Sequence, residues 1–151
     1  MANFQDLVTT KLGNVGEKYI TEFAKSKQSK PYIPGFDASF PVDSICVSEK
    51  GKLFAVEVKT KPRMLYYELS GYDNIDHQTY INFSIPVYVL FCDYVTKTMY
   101  GAWAKELDKQ PKSYFTGNIV AFPLSAMTIY RGITNLEVEE LKKYNQSNYH
   151  K

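Results

Sequence analysis

The stretch that decides the reading is Val42-Asp43-Ser44-Ile45-Cys46-Val47-Ser48-Glu49-Lys50-Gly51-Lys52-Leu53-Phe54-Ala55-Val56-Glu57-Val58-Lys59. Val42 to Val47 and Leu53 to Lys59 are rich in β-branched and aromatic residues, and Glu49-Lys50-Gly51 supplies turn residues between them. The pattern predicts a β-hairpin. Period-two alternation puts Ala55, Glu57 and Lys59 on one face of the second strand and Phe54, Val56 and Val58 on the other. The turn sets what faces Glu57. A two-residue loop at Lys50-Gly51 pairs Asp43 with Val58 and sends the two acids to opposite faces. A three-residue loop with Gly51 in the left-handed region pairs Val47 with Leu53, Ile45 with Ala55 and Asp43 with Glu57. Directly opposed residues have Cβ atoms about 4.5–5.5 Å apart.

Two carboxylates that close repel unless a cation lies between them, and oxygen ligands suit a hard divalent metal. The bland alternative is two strand-end acids paired on the surface with Lys52, Lys59 or Lys61, which would contribute little. Context separates Glu57-Val58-Lys59 from the similar triplet Glu140-Leu141-Lys142: the first ends an apolar strand, the second lies on a polar helix face. A lysine beside such a pair can hold a scissile phosphate and stabilise charge on phosphoryl oxygens, and metal coordination makes water a competent nucleophile. His77 and His150 are the only imidazoles, and no Ser-His-Asp or Cys-His arrangement competes. Gly13-x-x-Gly16 is no phosphate-binding or dinucleotide fingerprint.

Outward from the hairpin, Val15 to Lys27 has the apolar spacing of an amphipathic helix, through Val15, Tyr19, Ile20, Phe23 and Ala24. Ser26 to Ser39 reads mostly as loop, and Arg63 to Gly71 as loop or short helix. Asp73 to Phe83 reads as a helix, with Ile75, Thr79 and Phe83, or Tyr72, Ile75 and Thr79, as its spaced positions. Val87 to Cys92 is a buried strand, joined by the turn at Asp93 to Lys97 to a strand over Thr98 to Trp103. Ala104 to Lys109 fits one helical turn. Ile119 to Phe122 and Thr128 to Arg131 read as short strands. Thr134-Asn135-Leu136-Glu137 fits a capping box opening a last helix, with a frayed tail from Asn145. The order predicts an α/β (α+β) fold in which a mixed β-sheet is flanked by helices. One domain is expected, with a core over about 12–107 and a small C-terminal α/β extension over about 113–145 expected to cap the sheet or form an interface.

Composition excludes some classes. The 151 residues, 44% hydrophobic and 23% charged, suit one globular domain rather than a disordered chain. The longest apolar run is far short of the ~20 residues of a membrane span, and MANFQDLVTT has neither the basic nor the apolar region of a secretory signal, so cytoplasm is the expected compartment. Cys46 and Cys92 sit in strand-like segments and are expected to be buried free thiols; structural zinc is not expected. Net charge is +2, and Lys and Arg together number 18, of which only Arg63 and Arg131 are Arg. That equips the chain poorly for reading base edges, though lysine suffices for phosphate attraction.

In motif order the chain resembles the PD-(D/E)xK nuclease superfamily, the fold of many restriction endonucleases, archaeal Holliday junction resolvases and phage-borne nucleases. The resemblance covers about residues 12 to 103. Leu12-Gly13-Asn14-Val15-Gly16-Glu17 is similar to the family's opening of the first core helix. Phe40-Pro41-Val42-Asp43 resembles the strand with the first acid, and Val56-Glu57-Val58-Lys59 the second acid and the lysine. Asp76-His77-Gln78-Thr79-Tyr80 resembles the polar helix that follows, and Val87 to Phe91 the next core strand. The resemblance departs in having Pro41 two places before Asp43, in the loose fit of His77-Gln78, and in Asp37 as a competitor for the first acid.

It implies a restriction-endonuclease-like fold and a Mg2+-dependent endonuclease, a deoxyribonuclease that also accepts Mn2+. Asp43, Glu57 and the Val58 carbonyl would ligate the metal, and Glu17 would add a direct or water-mediated contact. Lys59 would position or activate the attacking water. Gln78 would orient Lys59, water or phosphate, with His77 and Tyr80 as lesser candidates. DNA is the expected partner, tracked by Lys25, Lys27, Lys30, Lys61 and Arg63; no membrane is expected, and a homodimer is. The alternatives are a catalytically silent nucleic-acid- or protein-binding module on the same fold, and a metal-dependent RNase.

Overall fold

The computed structural model of the chain describes residues 18–32, 42–60 and 68–149, with side chains as far as Lys143. A six-stranded mixed sheet is sandwiched between two layers. Its strands are β1 (Ser29–Tyr32), β2 (Ser44–Ser48), β3 (Leu53–Lys59), β5 (Val87–Asp93), β6 (Thr98–Trp103) and β9 (Thr128–Gly132), in the order β1-β2-β3-β5-β6-β9. Only β3 and β5 run parallel; the other neighbours are antiparallel. Between β3 and β5 the chain forms β4 (Leu69–Asp73) and α2 (Asn74–Ile81). β4 belongs to a second sheet of order β4-β8-β7, with β7 at Ser113–Phe115 and β8 at Ile119–Pro123. The expected α/β (α+β) class, a mixed sheet flanked by helices, is the one observed.

Two hydrophobic clusters divide along the sheet's alternation. On one side Cys46, Val56, Leu90, Cys92 and Met99 pack under α1 (18–26), through Tyr19, Ile20, Phe23 and Ala24, and under α4 (Asn135–Tyr149), through Val138 and Leu141. On the other side Ala55, Val89, Phe91 and Tyr100 pack against Tyr80 of α2, Leu107 of α3 (Ala104–Asp108), and Tyr72, Val120 and Phe122 of the small sheet. β5 is covered on both faces and all seven of its residues are buried. That is why its sequence is a continuous apolar run rather than an alternating one. Cys46 and Cys92 are buried free thiols, as expected. Among the described residues no helix is long and apolar enough to cross a membrane.

Three readings of local structure are corrected. Part of the expected loop Ser26–Ser39 is β1, an edge strand paired with β2; Pro31 disguises it, and an edge strand accommodates proline because one side has no ladder to lose. The end of the ambiguous stretch Arg63–Gly71 is β4, whose Gly71 lies so close to the β8 backbone at Val120 that a Cβ would collide with its carbonyl oxygen. In α2 the buried residues are His77 and Tyr80, while Ile75 is 67% exposed, so the apolar spacing through Ile75 marks the wrong face. The C-terminal segment is distributed over both sheets: β8 pairs with β4, and β9 extends the large sheet at β6.

One ionic cluster ties the ends together. Arg131 of β9 donates to both carboxylate oxygens of Glu22 in α1, at 2.7 and 3.1 Å, and to both of Glu137 in α4, at 3.0 and 2.9 Å. Glu137 also closes the expected capping box: the Thr134 N–H donates to its Oε1 at 3.0 Å, and its own N–H donates to Thr134 Oγ1 at 3.2 Å. Bidentate charge-assisted bonds of this kind are the strong ones. The Arg131 guanidinium holds the Glu137 carboxyl down to about 2 and that of Glu22 below its ordinary value. Both carboxyls therefore contribute stability that is present above their unfolded value of 4.5 and is lost as pH falls through their lowered folded values, about 2 for Glu137. Arg131→Met should cost about 2 kcal/mol in urea unfolding at pH 7, and the difference from wild type should shrink as the titration is repeated between pH 4.5 and pH 2.

Candidate functional site

The β2–β3 hairpin turns through Glu49-Lys50-Gly51. The Gly51 N–H donates to the Ser48 carbonyl at 2.9 Å, the Ser48 N–H donates to the Lys52 carbonyl at 2.8 Å, and Gly51 has φ +76°. This is the three-residue loop, with glycine where a side chain would be strained. The register follows: Val47 pairs with Leu53, Cys46 with Phe54, Ile45 with Ala55 and Ser44 with Val56. One step further, Asp43 meets Glu57. There the ladder continues through side chains. The Asp43 N–H donates to both Glu57 oxygens, at 3.2 and 3.3 Å, and the Val58 N–H donates to Asp43 Oδ2 at 3.0 Å.

Asp43 is exposed, whereas Glu57 is only 6% exposed. Burial pushes the Glu57 carboxyl well above its ordinary value; the neighbouring Asp43 charge adds to the rise, and Lys59 opposes it. The Lys59 ammonium is held by Asp76 Oδ2 at 2.9 Å and stands over the rings of Tyr80 and Tyr72, 5.3 and 5.6 Å from their centroids. Cation–π attraction of this kind fixes the position of a charge without neutralising it. Asp43, Glu57 and Asp76 all act on the Tyr80 hydroxyl, which they and its burial push far up. Three carboxyls thus gather near one ammonium: Asp76 binds it, Glu57 feels its charge, and Asp43 lies beside Glu57.

Below this surface lies a buried chain of polar groups. His77 Nδ1 is 2.6 Å from the Tyr72 hydroxyl and Nε2 is 3.0 Å from Asp108 Oδ1. Burial holds the imidazole pKa below its usual value. In the neutral ring the Tyr72 hydroxyl donates to Nδ1, and Nε2–H donates to the Asp108 carboxylate. His77 therefore anchors Tyr72 beneath Lys59 and does not reach the carboxylate pair itself.

The structure brings together Asp43, Glu57, Val58, Lys59 and Tyr80. It does not bring in Gln78, which is exposed and donates to Asn74 Oδ1 at 3.4 Å; Lys59 is oriented by Asp76 instead. Asp76 and Tyr80 are four apart and share a helix face, and Gln78 lies half a turn away. The i, i+4 spacing of Asp76 and Tyr80 is the sequence signal that the two act together. Glu17, Lys61, Arg63, Pro41, Asp37 and the Gly13–Gly16 segment lie outside the described residues. Lys25, Lys27 and Lys30 are exposed, with Lys25 and Lys27 at the end of α1, the helix that packs on the opposite face of the sheet. Among the described residues no group of three or more His, Cys, Asp or Glu side chains is placed to hold a metal ion.

No family model and no curated protein matches the chain.

The raised Glu57 pKa carries a sign. The folded chain keeps this proton to a higher pH than the unfolded chain, so the associated stability is present below the unfolded value of 4.5 and is lost as pH rises through the folded value. In EDTA, Glu57→Gln should melt above wild type at pH 8, and the gap should close as the melts are repeated toward pH 4.5.

Proposed function

We propose that this chain is a metal-dependent nuclease that hydrolyses DNA phosphodiester bonds, on the pattern of the PD-(D/E)xK superfamily. The observation that carries the reading is the convergence of Asp43 and Glu57 on the face that also presents Lys59. The donor chemistry supports a divalent cation there. The two carboxyls are all-oxygen ligands, one is buried beside the other's charge, and the nearest ammonium is already engaged by Asp76. A hard cation such as Mg2+ or Mn2+ suits such a pair, and the Val58 carbonyl and Glu17 are its further candidate ligands. Bound there, it would supply Lewis acidity toward the phosphate and the attacking water.

The remaining work falls to the chain's own groups. Lys59, held over two rings, donates toward a phosphoryl oxygen and stabilises the charge that develops on it. Asp76 limits the orientations of that ammonium, so less freedom is lost when substrate arrives. Glu57 must ionise before it can ligate, so cation affinity rises with pH.

The test is incubation with plasmid, single-stranded and branched DNA in Mg2+ or Mn2+. Cleavage of at least one substrate, abolished by Asp43→Ala and by Glu57→Ala and reduced about 10²–10³-fold by Lys59→Ala, is the expected result. No cleavage of any substrate, or cleavage indifferent to the two carboxylate variants, overturns the reading. Calorimetric titration of Mn2+ should show binding that Glu57→Ala removes.

A further inference from the structure

On the α1 face of the sheet, across from Glu57, lies a cavity of about 380 Å³, within the roughly 300–1,000 Å³ range of small-ligand sites. Its walls are aromatic. Phe23 stacks on Tyr88 at 4.8 Å between centroids, and Trp103 meets Tyr88 and Phe54 edge-on at 5.1 and 5.8 Å. Trp103 is 39% exposed and Leu53, on the rim, 50%, so apolar surface stands open to water. Lys27, beside the α1–β1 turn, and Lys52, beside the β2–β3 turn, also line it, and no carboxylate is among the described residues that do. Rings flanked by cations, with no acid among the described residues around them, complement a planar ligand bearing negative charge.

The geometry points to a stacking site for one base of a nucleic-acid single strand, with Lys27 and Lys52 contacting the phosphates on either side of it. A base faces aromatic rings whatever its sequence identity, and a strand supplies a phosphate on each side of each base. Two lysines carried by two separate turns fit that arrangement; a nucleoside monophosphate has one phosphate and satisfies one of them. A duplex keeps its bases paired and stacked and cannot offer one. This inference concerns binding alone and stands apart from hydrolysis at Asp43 and Glu57.

Trp103 is the chain's single tryptophan, so its emission reports on this cavity. In EDTA and low salt, an eight-nucleotide oligothymidylate should quench it saturably. Thymidine monophosphate should bind at least about tenfold more weakly, and a duplex of the same length should leave the emission unchanged. Lys27→Ala and Lys52→Ala replace exposed residues, and each should flatten the slope of log affinity against log salt by about 0.7. Trp103→Ala, followed through the anisotropy of a labelled oligonucleotide, should weaken binding about tenfold. Unchanged emission with the oligonucleotide overturns the inference. So does equal affinity for the mononucleotide or the duplex, or full retention of affinity in the three variants.

Discussion

The register of one hairpin governs the rest of this structure. Gly51, in the left-handed region, closes a three-residue loop and fixes Val47 opposite Leu53. A slip of one residue would turn every side chain of β3 to the other face. It would drive Glu57 and Lys59 toward α1 and push Phe54, Val56 and Val58 out among the tyrosines of the opposite layer. Both hydrophobic clusters depend on the same alternation. The core and the polar site are therefore two outcomes of one backbone choice, and the burial of Ala55, Val56 and Val89 holds the choice in place.

On that frame the polar groups are arranged so that charge is concentrated rather than neutralised. A buried carboxyl beside another carboxyl is costly as a folding device, and the rise in the Glu57 pKa expresses that cost. Lys59 offsets it only in part, its ammonium being drawn to Asp76 and to two ring faces. The neutral His77, between Tyr72 and Asp108, stiffens the floor of the site from below. A constellation that spends stability in one place and is braced from several sides suits the cation and phosphate binding proposed for it.

Much of this was legible along the chain. The hairpin and the capping box at Thr134 follow from local rules, and the facing of Asp43 and Glu57 follows from the three-residue member of the two loops considered, because turn geometry and period-two alternation act over a few residues. What stayed hidden depends on distant partners. β1 and β4 carry a proline and a glycine that weaken any strand signal, and they are strands because β2 and β8 pair with them. The role of Asp76 needed the direction of α2 against β3. The buried face of that helix is polar in composition, built on His77 and Tyr80, so an apolar stripe could not reveal it.

The small sheet has a temporal consequence. Tyr72 stands at the end of β4, and β4 has as its sheet neighbour β8, which leaves the ribosome long after it; Leu69 pairs with Pro123 and Asp73 with Ile119. The hairpin that carries Asp43 and Glu57 can close early from neighbouring residues, whereas the cradle under Lys59 must wait for a distant segment, and non-local pairings of this kind form slowly. During synthesis the chain thus displays its acids before it can seat its ammonium, and the two halves of the constellation come together only once β8 has emerged.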